Sequence, residues 1–252
     1  MSDNRMANAA RKAGTPIEQA VAAFMLHPET FAESVAAGYQ NPFAGYVAGR
    51  GGVLGGATAA TVSSVFVAFE PDFLGALWEE GVAVRGAADA AALYWEQVAG
   101  FARRHLAGVD GLGRLAALGE RIIGVAPDAG LPLYAGWRRM PLAADDPARV
   151  LQVMFVLREL RGGVHFNALT ISGIHPVEAH MLNKGHEYTT MFGWPEPFAD
   201  GADKKDRYAE VEQATNARMA ELFATALSPD EAEELARLSD AVLTALTASV
   251  PG

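Results

Sequence analysis

The feature that most constrains the fold of this chain is proline placed directly after residues that cap helices. Thr15-Pro16-Ile17-Glu18 and Ser228-Pro229-Asp230-Glu231 have the form of capping boxes, in which a hydroxyl and a carboxylate satisfy free backbone N–H groups. Three further sites are Asp146-Pro147, His175-Pro176 and Glu70-Pro71-Asp72. Because proline is tolerated at the first helical position and disfavoured in a helix interior, these sites predict helix starts.

These starts and the spacing of apolar residues predict a mainly α, multi-helical fold. The predicted helices lie near 16–26, 29–38, 57–68, 71–80, 87–105, 112–124, 147–160, 163–172, 175–184, 205–227 and 229–248. Strand signals are scarce, and the candidates for a small hairpin or wing are 131–142 and 186–194. The fold is therefore predicted to contain helix-turn-helix, winged-helix-like units and a C-terminal helical hairpin.

The domain organisation follows from the segments rich in Pro, Gly and Asp. Residues 193–203 form the best linker, because these residue types break helices. We predict a disordered N-terminus at 1–15, an N-terminal helical domain at 16–145, and a helix-turn-helix-like unit plus the C-terminal hairpin at 146–252. The apolar stripes of the two C-terminal helices favour equally packing on the parent domain and formation of a homodimer.

Composition excludes several classes of function. The chain has no cysteine, which excludes disulfides and thiolate chemistry, and leaves only His, Asp and Glu for a metal site. The formal net charge is -10, whereas a general nucleic-acid binder usually presents a basic face. The N-terminal residues lack an apolar signal core and no run is apolar enough for a membrane span, so we expect a cytoplasmic protein with no membrane partner.

The stretch 147–184 carries the helix-turn-helix pattern. The first helix is predicted to stop at Gly162-Gly163, the second at Ser172-Gly173, and the third to start at His175-Pro176. Its residues resemble a bacterial family described as helix-turn-helix-like, which has no assigned activity and is distantly similar to winged-helix, MarR-like proteins. The resemblance rests on the family's Leu-Arg-Glu-x-Arg-Gly-x-x-His signature, present here as Leu157-Arg158-Glu159-Leu160-Arg161-Gly162-Gly163-Val164-His165.

Other segments extend the resemblance to roughly residues 27–250. They are Ala168-Leu169, Gly173, Glu178-Ala179, the segment Tyr46 to Gly55, and Phe69-Glu70-Pro71. The chain departs from the family pattern at Leu160, Gly163 and Val53, where the family has His, Asp and Pro. These departures indicate that this member has a more particular role than the family pattern defines.

Histidines are concentrated in the same stretch. Four of the six lie at His165, His175, His180 and His186. Imidazole is the usual acid–base group near neutral pH and a common metal ligand, but no His-x-x-x-His spacing is present. We therefore predict no metal ligands and leave the cofactor open, including metal or haem. The structural alternatives are that Glu178 caps its own helix, Arg161 complements a helix dipole and His165 is a core histidine.

The third helix of this stretch is poorly equipped to bind DNA. A recognition helix offers Arg, Lys, Asn or Gln to base edges, and only Asn183 and Lys184 qualify. Glu178, near the helix start, would repel phosphate. The basic pairs Arg103-Arg104 and Arg138-Arg139 are expected to form solvated faces or ion pairs instead.

We predict a small-molecule-binding protein or enzyme with a His- and Arg-lined pocket on this scaffold. The Gly-rich segment 49–56 lacks Gly-Lys-Ser/Thr, so Arg50 is expected to hold either an anionic ligand group or an internal ion pair. The alternatives are a DNA-binding transcriptional regulator of winged-helix type and a non-catalytic interaction domain. The candidate catalytic residues are His165, Arg161 and Glu178, and the candidate ligand-binding residues are Arg50, Tyr46, His175, His180 and Phe166.

Overall fold

A computed structural model describes residues 2–248, which form thirteen α-helices and no strand. The prediction of a mainly α fold is confirmed. Two short 3-10 turns lie at Gly52–Leu54 and Ala202–Lys204. The helices are α1 (Ser2–Met25), α2 (Pro28–Ala36), α3 (Pro42–Gly51), α4 (Ala59–Phe66), α5 (Pro71–Arg85), α6 (Ala87–His105), α7 (Leu112–Val125), α8 (Pro132–Trp137), α9 (Asp146–Ser172), α10 (Pro176–Lys184), α11 (His186–Met191), α12 (Lys205–Ala226) and α13 (Pro229–Ala248).

Most of the proline-marked helix starts are confirmed. Helices α5, α10 and α13 begin at the predicted prolines Pro71, Pro176 and Pro229. Helices α2, α3 and α8 also begin at proline. These starts are local events, in which a fixed proline φ and a capping side chain suffice.

Pro16 is the exception, since it lies inside α1 rather than at its start. The predicted disordered segment 1–15 is helical from residue 2 onwards, and residue 1 lies outside the described part of the chain. Met6, Ala9 and Ala13 are buried on one face of this helix, which packs along α13. Burial of that face offsets the backbone hydrogen bond that Pro16 cannot donate.

The two predicted helices 147–160 and 163–172 are one continuous helix, α9, that ends at Gly173 in the left-handed conformation (φ 72°). Residues Val150 to Leu157 of this helix are all buried in the centre of the fold, and all of them except Gln152 are apolar. The predicted turn at Gly162-Gly163 is therefore wrong. A Cβ at Gly163 would lie 2.8 Å from Leu131 Cδ2, so this glycine permits a close approach rather than a turn.

Neither candidate for a hairpin or wing contains a strand. Residues 132–137 form α8, with Tyr134 and Trp137 buried in the core, and residues 186–191 form α11, with Thr189 buried. Side chains spaced three residues apart reach the core from one face of a short helix. In the region of the predicted helix-turn-helix, α9 ends at Ser172, residues 173–175 form a turn, and α10 follows.

The C-terminal helices are joined at Leu227-Ser228 as predicted, and both pack on the rest of the chain. Helix α13 lies along α1, and α12 lies against α9 and α1. The stripe of α13, including Leu235, Val242 and Leu246, is buried in the main core. The apolar stripe of α13 is therefore buried by packing within the chain. The homodimer alternative was based on this stripe, so the stripe no longer supports it.

The main core is shared between residues on both sides of the predicted domain boundary at 145/146. Val47 and Tyr94 lie in the same cluster as Val153 and Leu222. Residues 193–201, within the predicted linker, contain no helix. Among the described residues, no helix is long and apolar enough to cross a membrane.

In the Gly-rich segment 49–56, Gly49 lies inside α3 and allows close packing between helices. A Cβ at Gly49 would lie 2.8 Å from three atoms of Tyr94 on α6, whereas a Cβ at Gly56 would meet nothing within 4 Å. Helix α3 packs closely against α6 at this point. That approach sets the position of Arg50, the next residue on α3.

Replacing Gly49 by Ala should therefore lower the free energy of unfolding by about 1–2 kcal/mol, because overpacking outweighs the gain in helix propensity. Urea unfolding followed by circular dichroism measures this change. Gly56→Ala is the matched control and should not destabilise the protein. Equal stability of the two variants would show that the close contact with Tyr94 is not required.

Candidate functional site

A fully buried ion pair joins α3 to α9. Arg50 Nε donates to Glu159 Oε1 at 2.8 Å and Nη2 donates to Oε2 at 2.9 Å. The two side chains are only 4% and 2% exposed. Arg158 Nη1 also donates to Glu159 Oε1, at 2.7 Å. One buried carboxylate thus accepts hydrogen bonds from two guanidinium groups.

Other side chains around Arg50 contact its guanidinium. Its Cζ lies 4.5 Å from the centroid of the Phe66 ring, and Nη1 donates to the Tyr46 hydroxyl at 3.2 Å. The Trp137 indole donates to the Arg50 backbone carbonyl at 3.1 Å, which ties α8 to the same point. Of the two expectations for Arg50, the internal ion pair is confirmed.

Both members of the pair stay charged. Burial alone would raise the pKa of Glu159, but the charges of Arg50 and Arg158 outweigh it and lower this pKa to about 2. Burial acts in the opposite direction on the Arg50 pKa, which Glu159 nevertheless raises above its usual value. Removing one member of such a buried ion pair is strongly destabilising, because the other member is left as a charge that neither a partner nor water stabilises.

A cavity of about 570 Å³ lies over this cluster, lined by residues of α1, α2, α3, α9, α10, α11 and α12. Arg158, Arg161, Gly162, His165 and Phe166 line it from α9. Their spacing places them on one face of the helix over two turns. Much of the remaining wall is apolar, including Met25, Phe31, Phe43, Phe69, Met219 and Phe223.

The polar part of the cavity is organised by Glu212 on α12. Arg161 Nη2 donates to Glu212 Oε2 at 2.9 Å, and Nη1 lies 3.4 Å from Glu18 Oε2. His165 Nδ1 lies 3.3 Å from Glu212 Oε1 and 3.4 Å from Thr215 Oγ1. Burial lowers the pKa of His165 although Glu212 opposes this, which favours a neutral imidazole near pH 7.

His180 lines the same cavity from α10. It is 7% exposed, and its Nδ1 is buried with no hydrogen-bond partner among the described residues. Its ring lies 4.6 Å from that of Phe192 in an edge-on arrangement. Burial, assisted by the charge of Lys184, lowers the pKa of His180 to about 4.

The structure brings together six of the residues singled out from the sequence. Arg50, Tyr46, Arg161, His165, Phe166 and His180 all line this cavity. The two sequence segments that carry the family resemblance, one on α3 and one on α9, therefore meet in space.

Glu178 and His175 do not belong to this group. Glu178 accepts from the His175 backbone N–H at 3.0 Å, which is the capping arrangement, and it also pairs with Lys204. Burial would raise its pKa, but the bond from Lys204 lowers it. Neither residue lines the cavity, and His186 pairs instead with Glu196. Of the four clustered histidines, His165 and His180 thus line the cavity, whereas His175 and His186 do not.

Sequence reasoning gave no role to Glu159, Arg158 or Glu212. Glu159 and Arg158 are part of the quoted signature, and a charged residue inside the apolar run of α9 was the available signal. The partner of Glu159 lies 109 residues away, so nothing local could identify it. Glu212 stands on a helix whose polar face has no distinguishing pattern.

A different group of side chains has metal-ligating types. Ligand atoms of His27, Glu29 and His105 lie within 4.8 Å of one another, although the sequence predicted no metal ligands. Several of these ligand atoms already have partners: His27 Nδ1 accepts from the Glu29 N–H at 3.2 Å, and Arg104 lies 3.2 Å from Glu29 Oε2, whereas the buried His27 Nε2 has no hydrogen-bond partner among the described residues. A cation here would compete with the Arg104 guanidinium, so we assign the group a role in helix capping.

The basic pairs expected to form ion pairs do so. Arg103 contacts Asp145 at 2.7 Å, Arg104 contacts Glu33 at 2.6 Å and Arg139 contacts Asp128 at 2.8 Å. Arg138 donates to the backbone carbonyls of Ile123 and Ala126. These cations are therefore occupied by the protein's own acceptors.

The fold and the site together define a multi-helical protein with a helix-turn-helix segment and a charged cluster beneath a cavity. The model of a helix-turn-helix family matches residues 10–251, so the chain belongs to that family. No curated protein and no solved structure matches the chain.

Replacing Glu159 by Gln should lower the free energy of unfolding by about 3–5 kcal/mol, because it leaves buried Arg50 without a countercharge. Urea unfolding at pH 7 measures the loss. Glu221→Gln, which removes the exposed Arg218–Glu221 pair, is the control and should cost less than about 1 kcal/mol. Similar losses in the two variants would contradict the central role of the buried pair.

His180 should make the protein less stable in mild acid. Its folded pKa of about 4 lies below the ordinary value of 6.5, so the unfolded chain binds a proton that the folded chain does not. The free energy of unfolding should therefore fall as pH decreases from 6.5 to 4. In His180→Asn this decrease should be smaller, whereas His186→Asn, at an exposed position, should behave as the parent protein. Unfolding curves at pH 7 and 4.5 test this, and identical pH dependence in all three proteins would refute it.

Proposed function

We propose that this protein binds a small-molecule ligand in the cavity between α1, α3, α9 and α12, as a binding protein or as an enzyme. The observation that carries this proposal is the convergence of six residues singled out by sequence on one cavity of about 570 Å³. That volume lies within the range of about 300–1,000 Å³ typical of small-molecule sites. Apolar walls with a few convergent polar groups are the usual composition of such sites.

The polar groups have distinct roles in this proposal. His165 is the acid–base or hydrogen-bonding group, because its burial favours the neutral imidazole and Glu212 lies beside it. Arg161 fixes Glu212 and Glu18 and thereby positions His165. Arg50 supports the site from below through Glu159, and Tyr46 and Phe166 supply part of the wall.

A DNA-binding transcriptional regulator is the second candidate, and membership of a helix-turn-helix family favours it. Against it, the exposed residues at the end of α10 that could contact DNA are Asn183 and Lys184, and Lys184 lies 3.8 Å from Glu18. A gel-shift assay at low salt, with DNA flanking the gene for this chain, decides this point. Salt-sensitive, sequence-specific binding that is lost in a double Asn183→Ala, Lys184→Ala variant would favour the regulator.

Gly162 offers a direct test of ligand binding. It lines the cavity in the middle of α9, and a Cβ there would meet nothing within 4 Å. Gly162→Phe should therefore fill the cavity while the helix gains propensity. Binding of anilinonaphthalene sulfonate, measured by its fluorescence, should be lost.

The matched control is Gly124→Phe. Gly124 lies in helix α7, is exposed and also has free space at its Cβ position. This variant should bind the dye as the parent protein does, and circular dichroism should show equal helicity in all three proteins. Equal dye binding by the two variants would mean that the cavity is not the binding site.

A further inference from the structure

The charged side chains around the cavity do not balance. The cavity is lined by four cationic side chains, which are Arg50, Arg158, Arg161 and Lys184. They face three carboxylates: Glu18 and Glu212, which also line it, and Glu159, which lies beneath it. The site thus carries one excess positive charge, in a chain whose formal net charge is -10.

The excess is located by the pairing of these groups. Arg161 contacts both Glu212 and Glu18, and Lys184 lies 3.8 Å from Glu18 Oε1. These two cations therefore balance these two carboxylates. The remaining carboxylate, Glu159, is already paired through both oxygens with Arg50.

Arg158 is the cation left over. It makes one hydrogen bond, from Nη1 to Glu159 Oε1 at 2.7 Å, and its Nε and Nη2 have no acceptor among the described residues. Its side chain is 25% exposed and lines the cavity. A guanidinium with free N–H groups matches a carboxylate in geometry and charge.

We propose that the ligand is an amphipathic monocarboxylate, which places its carboxylate on Arg158 and its apolar or aromatic body along the cavity wall. This inference rests on the proposed function. A single excess charge is matched by one carboxylate, whereas a phosphate dianion would leave a negative charge in an apolar site. The α9 face from Arg158 to Phe166 spans about 12 Å, which leaves room for a body of medium length.

Isothermal titration calorimetry with two matched pairs of probes tests the proposal. The pairs are decanoate with decanol, and naphthylacetate with naphthylacetamide, so that each acid has a neutral partner of similar shape. In the parent protein at least one acid should bind about 10-fold or more tightly than its neutral partner, the effect of one charge-assisted hydrogen-bonding pair.

The Arg158→Gln variant should weaken that acid by about 10-fold or more and leave the neutral partner within about 2-fold. Arg158→Lys keeps the positive charge but loses the planar guanidinium that can bind both oxygens of a carboxylate, so its affinity for the acid should be intermediate. This variant replaces Arg158→Gln in the test if Arg158→Gln fails to fold. Arg218→Gln, which removes an exposed arginine on α12, is the control and should bind as the parent protein does.

The outcomes separate this inference from the proposed function. Equal binding of acid and neutral partner, lost for both in Gly162→Phe, would overturn the carboxylate inference and leave the binding cavity in place. An acid preference that persists unchanged in Arg158→Gln would also overturn it. Absence of all probe binding, together with dye binding that Gly162→Phe does not affect, would overturn both.

Discussion

The buried Arg50–Glu159 pair is the interaction on which the rest of this structure depends. Two charges removed from water cost several kcal/mol each unless they are paired and hydrogen-bonded, so α3 and α9 have one arrangement in which both are satisfied. Phe66, Tyr46 and the Trp137 indole complete the surroundings of Arg50. The pair therefore fixes the position of α3 relative to α9, because a shift of either helix would leave an unpaired charge in an apolar core, and the Trp137 indole holds α8 at the same point.

The cavity is a consequence of this arrangement. Arg158 and Arg161 flank Glu159 on the same helix and line the space that α1 and α12 enclose. A helix-turn-helix segment lies at the end of α9. The rest of this long helix packs in the main core and lines the cavity. The same family scaffold thus joins a helix-turn-helix segment of weak basic character to an enclosed polar site.

Much of the fold was predictable from local signals. Proline at helix starts, such as Pro71 and Pro176, acts through the backbone of a few residues, so sequence alone locates these helices. The sequence signals at Pro16 and Gly162-Gly163 were misinterpreted because tertiary packing overrides local preference. Helix α1 continues through Pro16 because one of its faces is buried against α13. Gly163 is explained by the close approach of Leu131 to α9. Six candidate site residues share a cavity, but the distant Arg50–Glu159 partnership depends on how helices meet and has no sequence signature. Glu178 was ambiguous, because one spacing serves both a cap and a catalytic acid.

The most direct test of a ligand-binding cavity is a native mass spectrum of the purified chain after equilibration with a small-molecule extract of the cells that produce it. The account predicts an additional bound mass on the parent protein and on Gly124→Phe, and the bare chain mass for Gly162→Phe. Bare chain mass in all three proteins, or the same adduct in all three, would contradict the claim that this cavity binds a small molecule.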